Sequence, residues 1–219
     1  MINKMKEPGS AITHFIGTLM ALFSATPLLI KAGSSPNKVH IISLGIFILS
    51  MILLYTASTI YHSVRGSKKV VRRLKKFDHM MIYVLIAGTY TPICIIALGG
   101  RTGLLLLALV WFLAFIGIIV TGFWVNCPKW FSSVVYIAMG WTCVLTFTQI
   151  INALPKGGFG WLLAGGIIYT IGGIIYALKL PLFNKKFKHF GSHEIFHLFV
   201  MAGSLCHFIL MYNYVAIMP

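Results

Sequence analysis

Apolar residues run in seven stretches of roughly 20, separated by short segments rich in Gly, Pro, Asn, Lys and Arg. The stretches cover about 10–30, 39–64, 77–98, 103–125, 131–151, 159–178 and 192–215. Each is long enough to cross a hydrocarbon core about 30 Å thick as an α-helix rising 1.5 Å per residue. The pattern predicts an all-α polytopic membrane protein, a seven-transmembrane helix bundle forming one domain over residues 1–219. The connections are short and hold turn formers, as in Gly99-Gly100-Arg101-Thr102-Gly103 and Pro155-Lys156-Gly157-Gly158. No soluble domain fits between them. The first stretch follows Lys4 and Lys6 as a secretory signal would, but it outlasts a signal's apolar core and reads as a retained span.

Composition agrees. The chain is 58% apolar and 10% charged, with a mean hydropathy of +0.91, outside the range of soluble domains. Its net charge of +15 comes from 18 Lys and Arg set against three acidic residues. Fourteen of the basic residues fall in the N-terminus and the second, fourth and sixth connections, and four in the others. By the positive-inside rule the N-terminus is cytoplasmic and the C-terminus outside. Basic excess of this kind sets topology and does not imply a nucleic-acid partner. The segment from Arg65 to Lys76 holds seven of the charges and is placed to touch anionic lipid head groups. Cys94, Cys127, Cys143 and Cys206 form no CxxC pair and no disulfide framework. Gly-Gly-Ile-Ile-Tyr occurs at Gly165–Tyr169 and again at Gly172–Tyr176, which puts small residues on one helix face where a neighbour can approach closely. Pro27 and Pro92 lie inside spans and are expected to kink them.

The candidate chemistry gathers at one depth. His193 and His197 are four residues apart, so on a helix both imidazoles point the same way. His62 precedes Arg65 by three residues, about 5 Å of helix from the basic segment. Asp78 and His79 follow Lys76, and Glu7 and His14 open the first span. All three acidic residues, Glu7, Asp78 and Glu194, and five of eight histidines thus fall at the cytoplasmic ends of four spans. Ionisable residues in a membrane span are costly and mark function by default. Taken singly, Asp78 reads as the N-cap of the third helix, and His62 or His14 as an interfacial histidine. Taken together, His62, His193 and His197 make a three-histidine metal site with a fourth position open. Asp78 is then the base toward a water on the metal, and Ser58, one turn before His62, a hydrogen-bond donor to a substrate oxygen. Ser58 bonded back to its own helix is the plain alternative. His207 is excluded, because fourteen residues of helix set it about 21 Å from His193.

The letters His193-Glu194-Ile195-Phe196-His197 also match the HExxH pattern of metalloproteases, with Glu194 as general base and His62 as third ligand.

At these residues the chain resembles the hemolysin III proteins, the bacterial branch of the progestin and adipoQ receptor family. The resemblance spans nearly the whole chain and rests on three motifs. They are Glu7-Pro8-Gly9-Ser10-Ala11-Ile12-Thr13-His14; Ser58-Thr59-Ile60-Tyr61-His62 with Asp78-His79 and Gly88-Thr89-Tyr90-Thr91-Pro92; and His193 to His197. It implies seven spans with a cytoplasmic N-terminus and a zinc ion held by His62, His193 and His197, with Asp78 on the zinc water and Ser58 beside it. It also implies hydrolase-like chemistry on a lipid amide or ester, as in the alkaline ceramidases with which the family is grouped, and a place in membrane lipid homeostasis. A non-enzymatic sensor or receptor with structural zinc is the alternative, and haemolytic pore formation a third. Many members carry Asn where this chain has Ser10, and the family pattern assigns no role to Glu194. The pattern does account for both histidines without Glu194, which counts against the protease reading.

Overall fold

The computed structural model describes residues 5–178 and 190–219. Lys4, His189 and the basic segment around Lys185 lie outside them. Among the described residues, seven helical segments are long and apolar enough to cross a membrane: Pro8–Gly33, Val39–Ser63, Lys68–Leu98, Gly100–Phe123, Lys129–Ala153, Lys156–Leu178 and Ser192–Ile217. Six of the seven spans contain one uninterrupted α-helix that carries most of their length: α1 (Pro8–Gly33), α2 (Val39–Ser63), α3 (Lys68–Pro92), α4 (Gly100–Phe123), α7 (Lys156–Leu178) and α8 (Ser192–Asn213). The fifth is broken into α5 (Lys129–Gly140), a 3₁₀ stretch (Trp141–Thr146) and α6 (Phe147–Ala153).

The third span begins nine residues earlier than hydropathy indicates. Most of the basic segment is helical: α3 starts at Lys68, and Ser67 is its N-cap, accepting from the Val70 amide at 3.4 Å. Two consequences correct the sequence reading. The connection between α2 and α3 shrinks to a few residues, and Asp78 sits in the third turn of a helix, so it caps nothing. Hydropathy missed this because lysine and arginine are good helix formers that water and head groups tolerate.

Two departures from α-geometry have identifiable causes. Pro92 has no amide hydrogen to donate, and the chain past it continues as a π-helical turn, Ile93–Leu98, closed by Gly99 N–H on the Cys94 carbonyl at 3.1 Å. Gly99 and Gly100, at φ of 58° and 52°, then reverse the chain into α4, a conformation that favours glycine. In the fifth span the Tyr90 hydroxyl inserts into the ladder, donating to Gly140 O at 2.6 Å and accepting from Cys143 N at 2.8 Å.

The core has two parts. Leu44, Phe47, Tyr55, Leu210 and Met211 fill the space among α1, α2 and α8. Tyr83, Tyr90, Val110 and Met139 fill that among α3, α4 and α5. Phe23 and Phe123, 78% and 84% exposed, face outward where acyl chains would lie. The glycine repeat of α7 packs against α8: a Cβ on Gly172 would stand 2.7 Å from Cβ of Phe199. That contact seats the helix bearing His193 and His197. Gly172→Val is expected to cost about 1–3 kcal/mol through overpacking and to lower the Tm of the detergent-solubilised protein; an unchanged Tm contradicts this packing.

Candidate metal centre

Alternating spans return the chain to the same end of the bundle, so α2 finishes where α1, α3 and α8 begin. His62 lies in the last turn of α2, and His193 and His197 in the first two turns of α8. One nitrogen from each ring falls within 4.8 Å of the other two. Nε2 of His193 stands 3.5 Å from Nε2 of His62. That is long for a hydrogen bond but close to the roughly 3.4 Å that separates two nitrogens bound at about 2.0–2.1 Å to a tetrahedral ion. Three imidazoles, those of His62 and His197 buried and that of His193 half-buried, with no acid among them, suit a borderline-soft divalent ion. The donor set therefore fits a zinc-sized metal.

Of the remaining nitrogens, those of His62 and His197 are held by α1 and its N-cap Glu7. The Glu7 carboxylate accepts from Nδ1 of His62, which leaves Nε2 turned toward His193. This hydrogen bond holds the Glu7 carboxyl down to about 2, below the ordinary glutamate range, so the carboxylate accepts and the imidazole donates. Thr13 Oγ1 lies 3.2 Å from Nδ1 of His197. Ser10 Oγ donates to Glu194 Oε1 at 2.5 Å, while Glu194 Oε2 accepts from the Gly191 amide at 2.9 Å. Glu194 thus closes the first turn of α8 and is tied to α1, with both oxygens engaged. This removes the geometric basis for a metalloprotease base at Glu194. His14 is buried and stacks on His197, with centroids 3.6 Å apart and planes 8° from parallel. Neither of its ring nitrogens makes a hydrogen bond among the described residues.

Asp78 and Ser58 are both buried, with the two side chains close enough to interact. Both line a cavity of about 180 Å³ whose wall also includes His14, His193 and His197. His79 lines it too but stands outside the three-histidine cluster, and its carbonyl accepts from the Tyr136 hydroxyl at 3.4 Å. From this end the cavity passes apolar side chains such as Ile82, Leu85 and Val200 and reaches His207. Ten residues of α8 separate His197 from His207, so the cavity extends about 15 Å along the helix. His207, which depth alone set apart, lies on the same cavity wall far from the cluster. Sequence reasoning passed over Ser10 and Thr13 as individual partners. The signal was their register with Glu7 and His14, since residues 7, 10 and 14 fall on one helix face.

A family model described as "Haemolysin-III related" matches residues 2–208. Over 219 residues the chain is 38% identical to a hemolysin-3 homolog of Bacillus subtilis strain 168, covering 100% of this chain and 99% of the relative. It is 38% identical over 210 residues to hemolysin-3 of Bacillus cereus, covering 96% of this chain and 92% of that protein. An adiponectin receptor protein of Drosophila melanogaster is 24% identical over 217 residues, covering 92% of this chain and 49% of the receptor.

Elemental analysis of the purified protein is expected to find about one divalent transition-metal ion per chain, falling below roughly 0.1 in His62→Ala or His197→Ala. Glu194→Gln is expected to keep its metal. Full occupancy in either histidine variant contradicts the centre.

Proposed function

Starting from the fact that the chain belongs to the haemolysin-III-related family, we propose that this multi-pass membrane protein is a zinc-dependent hydrolase of a lipid amide or ester, ceramidase-like in its chemistry. The observation that carries the reading is the juxtaposition of three converging imidazoles with an apolar cavity whose wall holds two of them, His193 and His197, together with Asp78 and Ser58. A site meant only to brace helix ends has no use for a buried carboxylate facing a cavity. On the positive-inside argument the centre belongs to the cytoplasmic end of the bundle, where Arg65 and the basic first turns of α3 meet anionic head groups.

His62, His193 and His197 would hold the zinc ion. When bound, zinc supplies Lewis acidity to a carbonyl oxygen and lowers the pKa of water beside it. The chain's own residues do the rest. Ile82, Leu85, Ile93 and Val200 exclude water from the acyl chain and orient the carbonyl toward Asp78. Asp78 takes a proton from the attacking water as the new C–O bond forms. It returns that proton to the leaving nitrogen or oxygen as the old bond breaks, so one water, one acid and one amine or alcohol balance. Ser58, buried with Asp78 on the cavity wall, orients the carboxylate for both transfers, a role one step removed from a direct contact with the substrate oxygen.

A receptor-like role with structural zinc is the competing reading, prompted by the relative named as an adiponectin receptor. The two separate in one assay. With a fluorogenic N-acyl sphingosine in detergent micelles, Asp78→Asn is expected to reduce kcat by about 10²-fold or more while metal content stays at parental level. Parental turnover in Asp78→Asn, or a zinc-loaded parent that turns over none of a panel of lipid amides and esters, contradicts the hydrolase reading.

A further inference from the structure

The N-terminal stretch Glu7 to His14 makes no place for itself in the three-histidine site, yet it touches two of its three imidazoles, His62 and His197. We infer that Glu7 and Thr13 are the positioning residues of the metal centre, each setting the tautomer and aim of one imidazole; the inference rests on the metal reading above.

A neutral imidazole offers its lone pair to a metal through one nitrogen only when the other carries the hydrogen, so the partner of the second nitrogen decides which one can ligate. For His62 the partner is a carboxylate, which can only accept, so the hydrogen is on Nδ1 and Nε2 is free for the ion. For His197 the argument runs through Thr13. The Thr13 hydroxyl has one hydrogen, and Ser10 O at 2.9 Å and Gly9 O at 3.1 Å stand ready to take it. With that hydrogen spent on its own helix, the Thr13 oxygen can only accept from Nδ1 of His197. Nε2 is again left for the metal. His193 receives no such help: its Nδ1 is buried and unbonded among the described residues. The two α1 contacts therefore fix two of three ligands, and the third follows by its position on the same helix face as His197.

The backbone holds this arrangement in register. The Glu7 amide donates to His62 O at 2.9 Å and the Lys6 amide to Ser63 O at 3.4 Å, so the segment entering α1 satisfies carbonyls left open at the end of α2. Arg65 Nε donates to Met5 O at 3.0 Å on the same seam. Glu7 also supplies a negative charge to a site that would take a dication. Carboxylates on metal-bound histidines raise ligand basicity as well as orienting the ring.

The test is metal affinity, measured on the full-length purified protein by competition with a zinc chelator, with the Tm of each metal-free protein taken alongside. Glu7→Gln and Thr13→Val are each expected to weaken zinc binding by about 10–100-fold, whereas Thr13→Ser, which keeps the hydroxyl, retains the parental value. Metal-free Tm is expected to match the metal-free parent in Thr13→Val. Parental zinc affinity in both Glu7→Gln and Thr13→Val overturns the inference while leaving the metal centre standing. Equal weakening in Thr13→Ser and Thr13→Val overturns it as well, because bulk rather than hydrogen bonding would then be responsible. A parent protein that binds no zinc overturns the centre and this inference together.

Discussion

Imidazoles and carboxylates taken out of water into a bundle of apolar helices must find partners or a cation, because an unsatisfied polar group in a low-dielectric interior costs several kcal/mol. At the basic end of this molecule the requirement is met in part by crowding, while both nitrogens of His14 and Nδ1 of His193 make no hydrogen bond among the described residues. His14, His62, His193 and His197 lie ring against ring, and Glu7, Asp78 and Glu194 close around them. The architecture of that end follows from this demand. α1 packs against α2 and α8 so that its first two turns can reach His62, His197 and Glu194, and the glycine face of α7 lets α8 settle deeply enough to present its histidines inward.

Much of this was legible in the residues. Seven apolar stretches define the spans without any structure, and the asymmetry of 18 basic residues is what predicts their direction. The i, i+4 spacing of His193 and His197, with His62 at the same depth, is enough to bring three rings together, because depth in a membrane is set by residue count along each helix. What the letters could not convey was partnership. Asp78 looked like a cap because hydropathy began the third span beside it; the helix begins nine residues before that start, at Lys68, since flanking lysines extend helices without looking like spans. Glu194 looked like a protease base because its neighbours are metal-type histidines. Its oxygens are engaged by Ser10 and Gly191 instead, a contact across 184 residues that no local pattern encodes.

The same contact recasts the place where this chain differs from many of its relatives. Ser10 is a donor to Glu194, and a donor is what the amide of an asparagine also offers. The motif and the HExxH-like letters are then two halves of one tie between α1 and α8. The cavity beyond Asp78 has an apolar wall, which matches a protein whose surroundings are acyl chains.

The central claim is that three imidazole nitrogens hold a metal with one position left open. X-ray absorption at the zinc edge of the purified protein addresses it directly. The account predicts three nitrogen scatterers with imidazole outer shells and one further light-atom scatterer, all at about 2.0–2.1 Å. A spectrum with sulfur at about 2.3 Å, or a protein with no stoichiometric metal to record, would contradict it.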